Sequence, residues 1–193
     1  TALFLTYYAP HWIKRPLTIL VDLMAAIPSV IYGLWGFFIL MPHAIYWAKL
    51  LHKYLDFLPF FKMQAPVYER SPFIAGIVVG IMIVPIIAAI SREVFSQVPL
   101  DRVQAAYALG ASKWTMIRSV VLPFGSSGIA GGAMLGLGRA MGETIAIYLV
   151  LNIYFIPNFQ VLFSSGGNVA SLIVSRFGEA GDYELRALMA AGL

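Results

Sequence analysis

Arg139 and Glu143 stand near the middle of a glycine-rich apolar run, residues 125–151, four positions apart. On a helix that spacing puts both side chains on one face, one turn apart. An arginine at mid-membrane costs about 2.5–3.5 kcal/mol on insertion scales, and a carboxylate is similarly unwelcome. Side chains kept at that cost mark a water-filled path or a partner. On one reading Arg139 faces a translocation path and helps an oxyanion cross. Glu143 then orients the guanidinium and keeps the complex weak enough to release its cargo. On the other reading the two charges neutralise each other and lock helix packing. An intramembrane enzyme would need a nucleophile, and this pair supplies none.

The run that carries the pair holds Gly125, Gly128, Gly131, Gly132, Gly136, Gly138 and Gly142. Small residues at every fourth position let helices approach closely in lipid, and Gly128, Gly132 and Gly136 form such a ridge. Two further apolar runs, residues 17–41 and 71–90, also reach the roughly 20 residues of helix that cross a hydrocarbon core. Hydrophobic residues make up 60% of the 193-residue chain and charged ones 11%, against about 25% charged in soluble domains. These features predict an all-α, polytopic transmembrane helical bundle. Pro28 and Pro85 each remove a helix N–H and are expected to kink their spans, with Ser29 placed to bond a freed carbonyl. Asp22 falls about one and a half turns inside the first span, where it is expected to face the headgroups.

Charge collects between the spans. Residues 10–16, read as a loop, carry Lys14 and Arg15, and residues 91–123 carry Arg92, Arg102, Lys113 and Arg118 against Glu93 and Asp101. Short cytoplasmic loops gather Lys and Arg, which places both segments on the cytoplasmic side. Residues 43–70 and 152–182 then form external segments. The first of these also carries Lys49, Lys53, Lys62 and Arg70, so loop charge alone leaves the topology open. Residues 44–58 have amphipathic helical spacing, with Tyr46 and Trp47 near the start, and are expected to lie in the interface plane. The second external segment mixes turn residues (Pro157, Asn158, Gly166, Gly167, Asn168) with an apolar stretch, 169–174, expected as a short helix. The net charge of +4 forms no sustained basic stripe, so nucleic acid is not an expected partner. Residues 1–193 read as one membrane domain. Its apolar ends, residues 1–8 and 185–193, read as spans cut short.

The segment 91–123 has its own punctuation. Pro99 suits a first helical turn and Asp101 the positive end of its dipole. Gly110 is placed to end that helix in a left-handed conformation. A helix over residues 99–109 is about 16 Å long, too short to cross a membrane. It contains Gln104-Ala105-Ala106, with Gly110 four positions later and Val120-x-Leu122-Pro123 beyond, where Leu122-Pro123 is expected to end a second helical piece before the next span. This spacing resembles the Glu-Ala-Ala loop of binding-protein-dependent importers of the ATP-binding-cassette class, whose membrane subunits dock through it onto a cytoplasmic ATPase. The resemblance implies that Ala105 and Ala106 permit close approach, that Tyr107 and Leu109 fill a groove, and that Gly110 turns the chain. Gln104 stands where the family pattern has Glu. That removes a charge able to pair with the ATPase and keeps a hydrogen-bonding side chain.

The stretch Gly-Gly-Ala-Met-Leu-Gly-Leu-Gly-Arg-Ala-Met-Gly-Glu-Thr, from Gly131 to Thr144, is similar to the signature of phosphate-importer membrane subunits, the PstC type above all. Ala-Ala-Ile-Pro-Ser-Val-Ile-Tyr-Gly-Leu, from Ala25 to Leu34, also fits, and the resemblance covers residues 17–182. It implies the MetI-like fold of type I importers, a six-helix subunit of which this chain would be a fragment. It further implies a PstA-like second permease, a PstB-like ATPase dimer that binds ATP and Mg, and a PstS-like external phosphate-binding protein, all at a prokaryotic inner membrane. Another oxyanion, such as molybdate, sulfate or a phosphonate, stays open as cargo, because Arg139 alone does not discriminate among tetrahedral anions. An autonomous channel would need no docking loop. The chain itself is expected to hold no cofactor or metal. It has no Gly-x-x-x-x-Gly-Lys-Ser/Thr phosphate loop, no cysteine, and only His11, His43 and His52, at unrelated spacings.

Overall fold

Proline and glycine decide where the apolar helices of this chain start, bend and stop. A computed structural model describes residues 1–63, 66–153 and 159–193, and it is all-α apart from one isolated bridge between Ile153 and Gly166. Pro157 and Asn158, expected as turn residues, lie outside the described residues. After a π-turn at Phe4–Tyr8 come α1 (His11–Ala26), α2 (Ser29–Trp35), a π-turn at Gly36–Leu40, α3 (Met41–Leu55) and α4 (Pro72–Ser96). Then follow α5 (Leu100–Ala108), α6 (Lys113–Met116), a π-turn at Ile117–Val121, α7 (Leu122–Met141), α8 (Ile145–Val150), α9 (Val169–Arg176) and α10 (Asp182–Gly192).

Three helices among the described residues are long and apolar enough to cross a membrane: Ser29–Leu55, Pro72–Ser96 and Lys113–Met141. The second covers the run 71–90, extends six residues into the segment expected to be polar, and passes through Pro85 without a break. The other two depart from expectation. The run 17–41 is broken rather than kinked: α1 ends at Ala26, and Pro28 (φ −57°, ψ 137°) caps α2. Proline excludes its predecessor from helical geometry, so Ile27 cannot continue the helix. Residues 10–16 form no loop, since α1 begins at His11 and contains Pro16. Residues 44–55, expected in the interface plane, continue the helix that begins at Ser29.

Two prolines inside these long helices share one solution. Pro42 and Pro123 each follow the last residue of a π-turn by two positions. A π-turn shifts the hydrogen-bond register by one residue, which makes room for a ring that lacks an N–H. Leu122-Pro123 therefore does not end a helical piece; the helix runs unbroken from Lys113 to Met141.

By its contacts the chain divides into two compact units. The first comprises Thr1–Ala26 and Ile83–Arg139. Its buried centre is Ala2, Phe95, Val98, Met116, Ile117 and Val121. Asp22 is exposed and accepts from Arg92 Nη2 with both carboxylate oxygens, at 3.0 and 3.2 Å. Along α7 every glycine of the ridge meets α4. A Cβ on Gly132 would stand 3.1 Å from Ile90 and one on Gly136 2.8 Å from Ile87, while Gly128 lies against Val94. A Cβ on Gly131 or Gly138 would meet open space.

The second unit comprises Ile27–Met82 and Ala140–Leu193. One buried cluster joins Ala48, Tyr68 and Leu162. Val161 N donates to Phe60 O (2.9 Å) and Ser164 N to Val67 O (3.0 Å), while Phe73 N at the start of α4 donates to Val161 O (2.9 Å). The helix α2 crosses α8 at Gly33, where a Cβ would stand 2.8 Å from the Ala146 Cα.

Candidate functional site

The hairpin formed by α5 and α6 lies within the first unit, and local capping explains its shape. Pro99 takes φ −58° and ψ 129° at the N-cap of α5, and Asp101 sits in the first turn. The end is a Schellman motif. Ala111 N donates to Ala106 O at 3.0 Å and Gly110 N to Tyr107 O at 2.9 Å, which satisfies two carbonyls that the helix leaves free. The motif needs a left-handed residue, and Gly110 supplies it with φ +79°. Ser112 Oγ then accepts from Thr115 N at 3.2 Å and starts α6.

This geometry sorts the expected docking residues. Val103 and Ala106 pack inward against the buried centre, and Leu122 joins them. Gln104, Ala105 and Gly110 are exposed, with Tyr107 and, at 89% exposure, Leu109. Ala105, Ala106, Leu109 and Pro123 border a cavity of about 640 Å³, whereas Gln104 and Tyr107 do not. Arg102 and Phe124 also line it, the guanidinium 5.9 Å from the ring centroid. From sequence Arg102 reads only as a loop charge and Phe124 carries no signal, although Arg102 lies one helical turn before Ala106. The hairpin thus exposes Tyr107 and Leu109 near its turn, with the cavity beside α5.

Arg139 is exposed in the last turn of α7, where its charge complements the negative end of the helix dipole. Glu143 does not share its helix. The run 125–151 stops at Met141 and resumes at Ile145, so the expectation of one face and one turn fails. Glycine favours helix ends, and Gly142 occupies the break. Glu143 itself is only 7% exposed, and its Oε1 accepts from Ala146 N at 3.2 Å, which satisfies a free donor at the start of α8. Asn168, expected in a turn, completes the break. Asn168 Nδ2 donates to Met141 O at 3.2 Å and to Glu143 O at 2.7 Å. Among the described residues no cluster of His, Asp or Glu could hold a metal ion.

Among the described residues, three helices of membrane-crossing length and a capped hairpin mark a helical membrane protein. Residues 1–178 match the family model described as "Binding-protein-dependent transport system inner membrane component". The chain belongs to that family. It is 47% identical to "Phosphate transport system permease protein PstC 2" of Mycobacterium tuberculosis, over 92% of this chain and 56% of that protein. It is 43% identical to "Phosphate transport system permease protein PstC" of Haemophilus influenzae, over 100% of this chain and 62% of that protein. With "Probable phosphate transport system permease protein PstC" of Methanocaldococcus jannaschii it shares 37% identity over 100% of this chain and 61% of that protein. The chain thus spans somewhat over half the length of these relatives.

Proposed function

We propose that the chain is part of a permease subunit of an ATP-driven, binding-protein-dependent importer of inorganic phosphate. The observation that carries this is identity of 37–47%, across nearly the whole chain, to proteins named as phosphate transport permeases. The subunit performs no catalysis. A PstB-like ATPase dimer on the cytoplasmic side, holding ATP and Mg, grips the α5–α6 hairpin through Gln104, Ala105, Tyr107 and Leu109. A protrusion transmits work only if it does not bend under load, and the caps at Pro99, Gly110 and Ser112 supply that stiffness. With a PstA-like second permease the chain lines half of the path, and a PstS-like protein delivers phosphate outside. The setting is a prokaryotic inner membrane crossed several times.

Within that path Arg139 offers a guanidinium whose fork geometry matches a tetrahedral oxyanion. Glu143, on a separate element, supplies the opposing charge that keeps the anion from binding too tightly. The test is uptake of labelled phosphate by vesicles carrying the full assembly, with and without ATP, comparing the unchanged chain with Arg139→Gln. ATP-dependent uptake is expected, falling about tenfold or more in the variant while assembly is unchanged. Sulfate or molybdate accumulation in place of phosphate would reassign the cargo, and unchanged uptake by Arg139→Gln would remove Arg139 from the path.

A further inference from the structure

The break between α7 and α8 exposes backbone groups that have no helical partner. In a water-poor setting such groups need replacements, and Asn168 provides two of them. Its amide nitrogen has two donors, and one goes to Met141 O (3.2 Å) and the other to Glu143 O (2.7 Å). These acceptors lie 27 and 25 residues away along the chain, so the tie is tertiary. The other side of the same side chain faces α9. Oδ1 accepts from Ser171 N at 2.8 Å, and Ser171 Oγ accepts from Asn168 N at 3.2 Å, a complete capping box. Every polar group of the amide is thereby used. A flipped amide would set its oxygen against two carbonyls and its NH2 against a donor.

We propose that Asn168 is a positioning residue: from the start of α9 it latches the helix break and fixes where Glu143 stands. Glu143 is then held from two directions, its backbone carbonyl by Asn168 and its carboxylate by Ala146 N. The consequence is that movement of α9 moves Glu143. Any effect on transport rests on the path role proposed above for Glu143, whereas the latch does not.

Aspartate and asparagine cap helices equally well, so Asn168→Asp keeps the acceptor for Ser171 N and loses both donors to the break. Asn168→Ser keeps a cap but is too short to reach the break. Ser171→Ala removes the side-chain half of the capping box, the bond from Asn168 N to Ser171 Oγ, and leaves the latch. The chain has no cysteine, so Thr144→Cys in the break provides a single labelling site on it. The full assembly in vesicles is treated with a charged thiol reagent, and labelling of this chain is read by mass spectrometry. Both Asn168 variants should raise the labelling rate about tenfold, and Ser171→Ala should leave it within about twofold, as expected for local opening of a released break.

Unchanged labelling in the Asn168 variants overturns the latch. So does an equal rise in Ser171→Ala, which would make the effect one of α9 capping. Phosphate uptake is measured alongside in chains that retain Thr144. Faster labelling with lowered uptake supports both the latch and the path role of Glu143. Faster labelling with normal uptake supports the latch and withdraws the path role.

Discussion

Replacing Gly110 by valine tests the mechanical role proposed for the hairpin. A Cβ at Gly110 would meet nothing within 4 Å, so the substitution causes no clash. Its whole cost is backbone, because φ is +79° there. An L-residue in the left-handed region loses about 1–2 kcal/mol, and a β-branched one is a genuine outlier. The chain relieves that strain only by giving up the two bonds that close α5, Ala111 N to Ala106 O and Gly110 N to Tyr107 O. One or two kcal/mol reduces the intact hairpin relative to opened forms by a factor of about 5–30. The inner face of α5, Val103 and Ala106, stays anchored in the buried centre. Assembly should therefore survive while the arm loosens. The assay is phosphate accumulated per ATP hydrolysed in vesicles carrying the full assembly. We expect that ratio to fall at least about fivefold in Gly110→Val and to stay near normal in Gly110→Asn, since asparagine visits the left-handed region readily. Full coupling in the valine variant would refute the argument that stiffness at this turn carries the work.

Gly33→Val forces a side chain against the backbone of Ala146, 2.8 Å from where its Cβ must sit. Overpacking of this kind costs about 1–3 kcal/mol, and a backbone neighbour cannot rotate away, so a lowered melting temperature and yield of the purified assembly are expected. On α7 the two sides of the helix should respond oppositely. Gly136→Leu collides with Ile87 and should lower the melting temperature, whereas Gly131→Ala projects into open space and should leave it unchanged or slightly higher, as alanine favours helix by about 1 kcal/mol over glycine. Equal effects at the two positions would mean that α7 does not pack on α4 through this ridge.

What the sequence showed and what it hid follow from the range over which each signal acts. The helix expected over residues 99–109 is present as Leu100–Ala108, with Pro99 and Leu109 as its caps. Proline, aspartate and glycine shape the backbone within a few residues of themselves, so their effect is written locally. The mistakes fall where one piece of backbone compensates for another. Pro28 and Pro123 look alike in sequence, yet the first breaks a helix and the second does not. Pro123 follows a π-turn at Ile117–Val121, which no single residue type announces. The same limit hid the break at residues 142–144. Seven glycines in one apolar run give no reason to choose Gly142 as the stopping point. Glu143 meets Ala146 locally, but the bonds from Asn168 to Met141 and Glu143 join groups that only the fold brings together. The sole local trace of Asn168 is its Asn-x-x-Ser spacing, which signals the start of α9 and says nothing of the break. A charged residue four positions from another inside a glycine-rich run is therefore weak ground for assuming one helical face. The helix that carries Arg139 ends at Met141, and Glu143 takes its place from its own bonds with Ala146 and Asn168, so the two charges are not held one turn apart on one helical face.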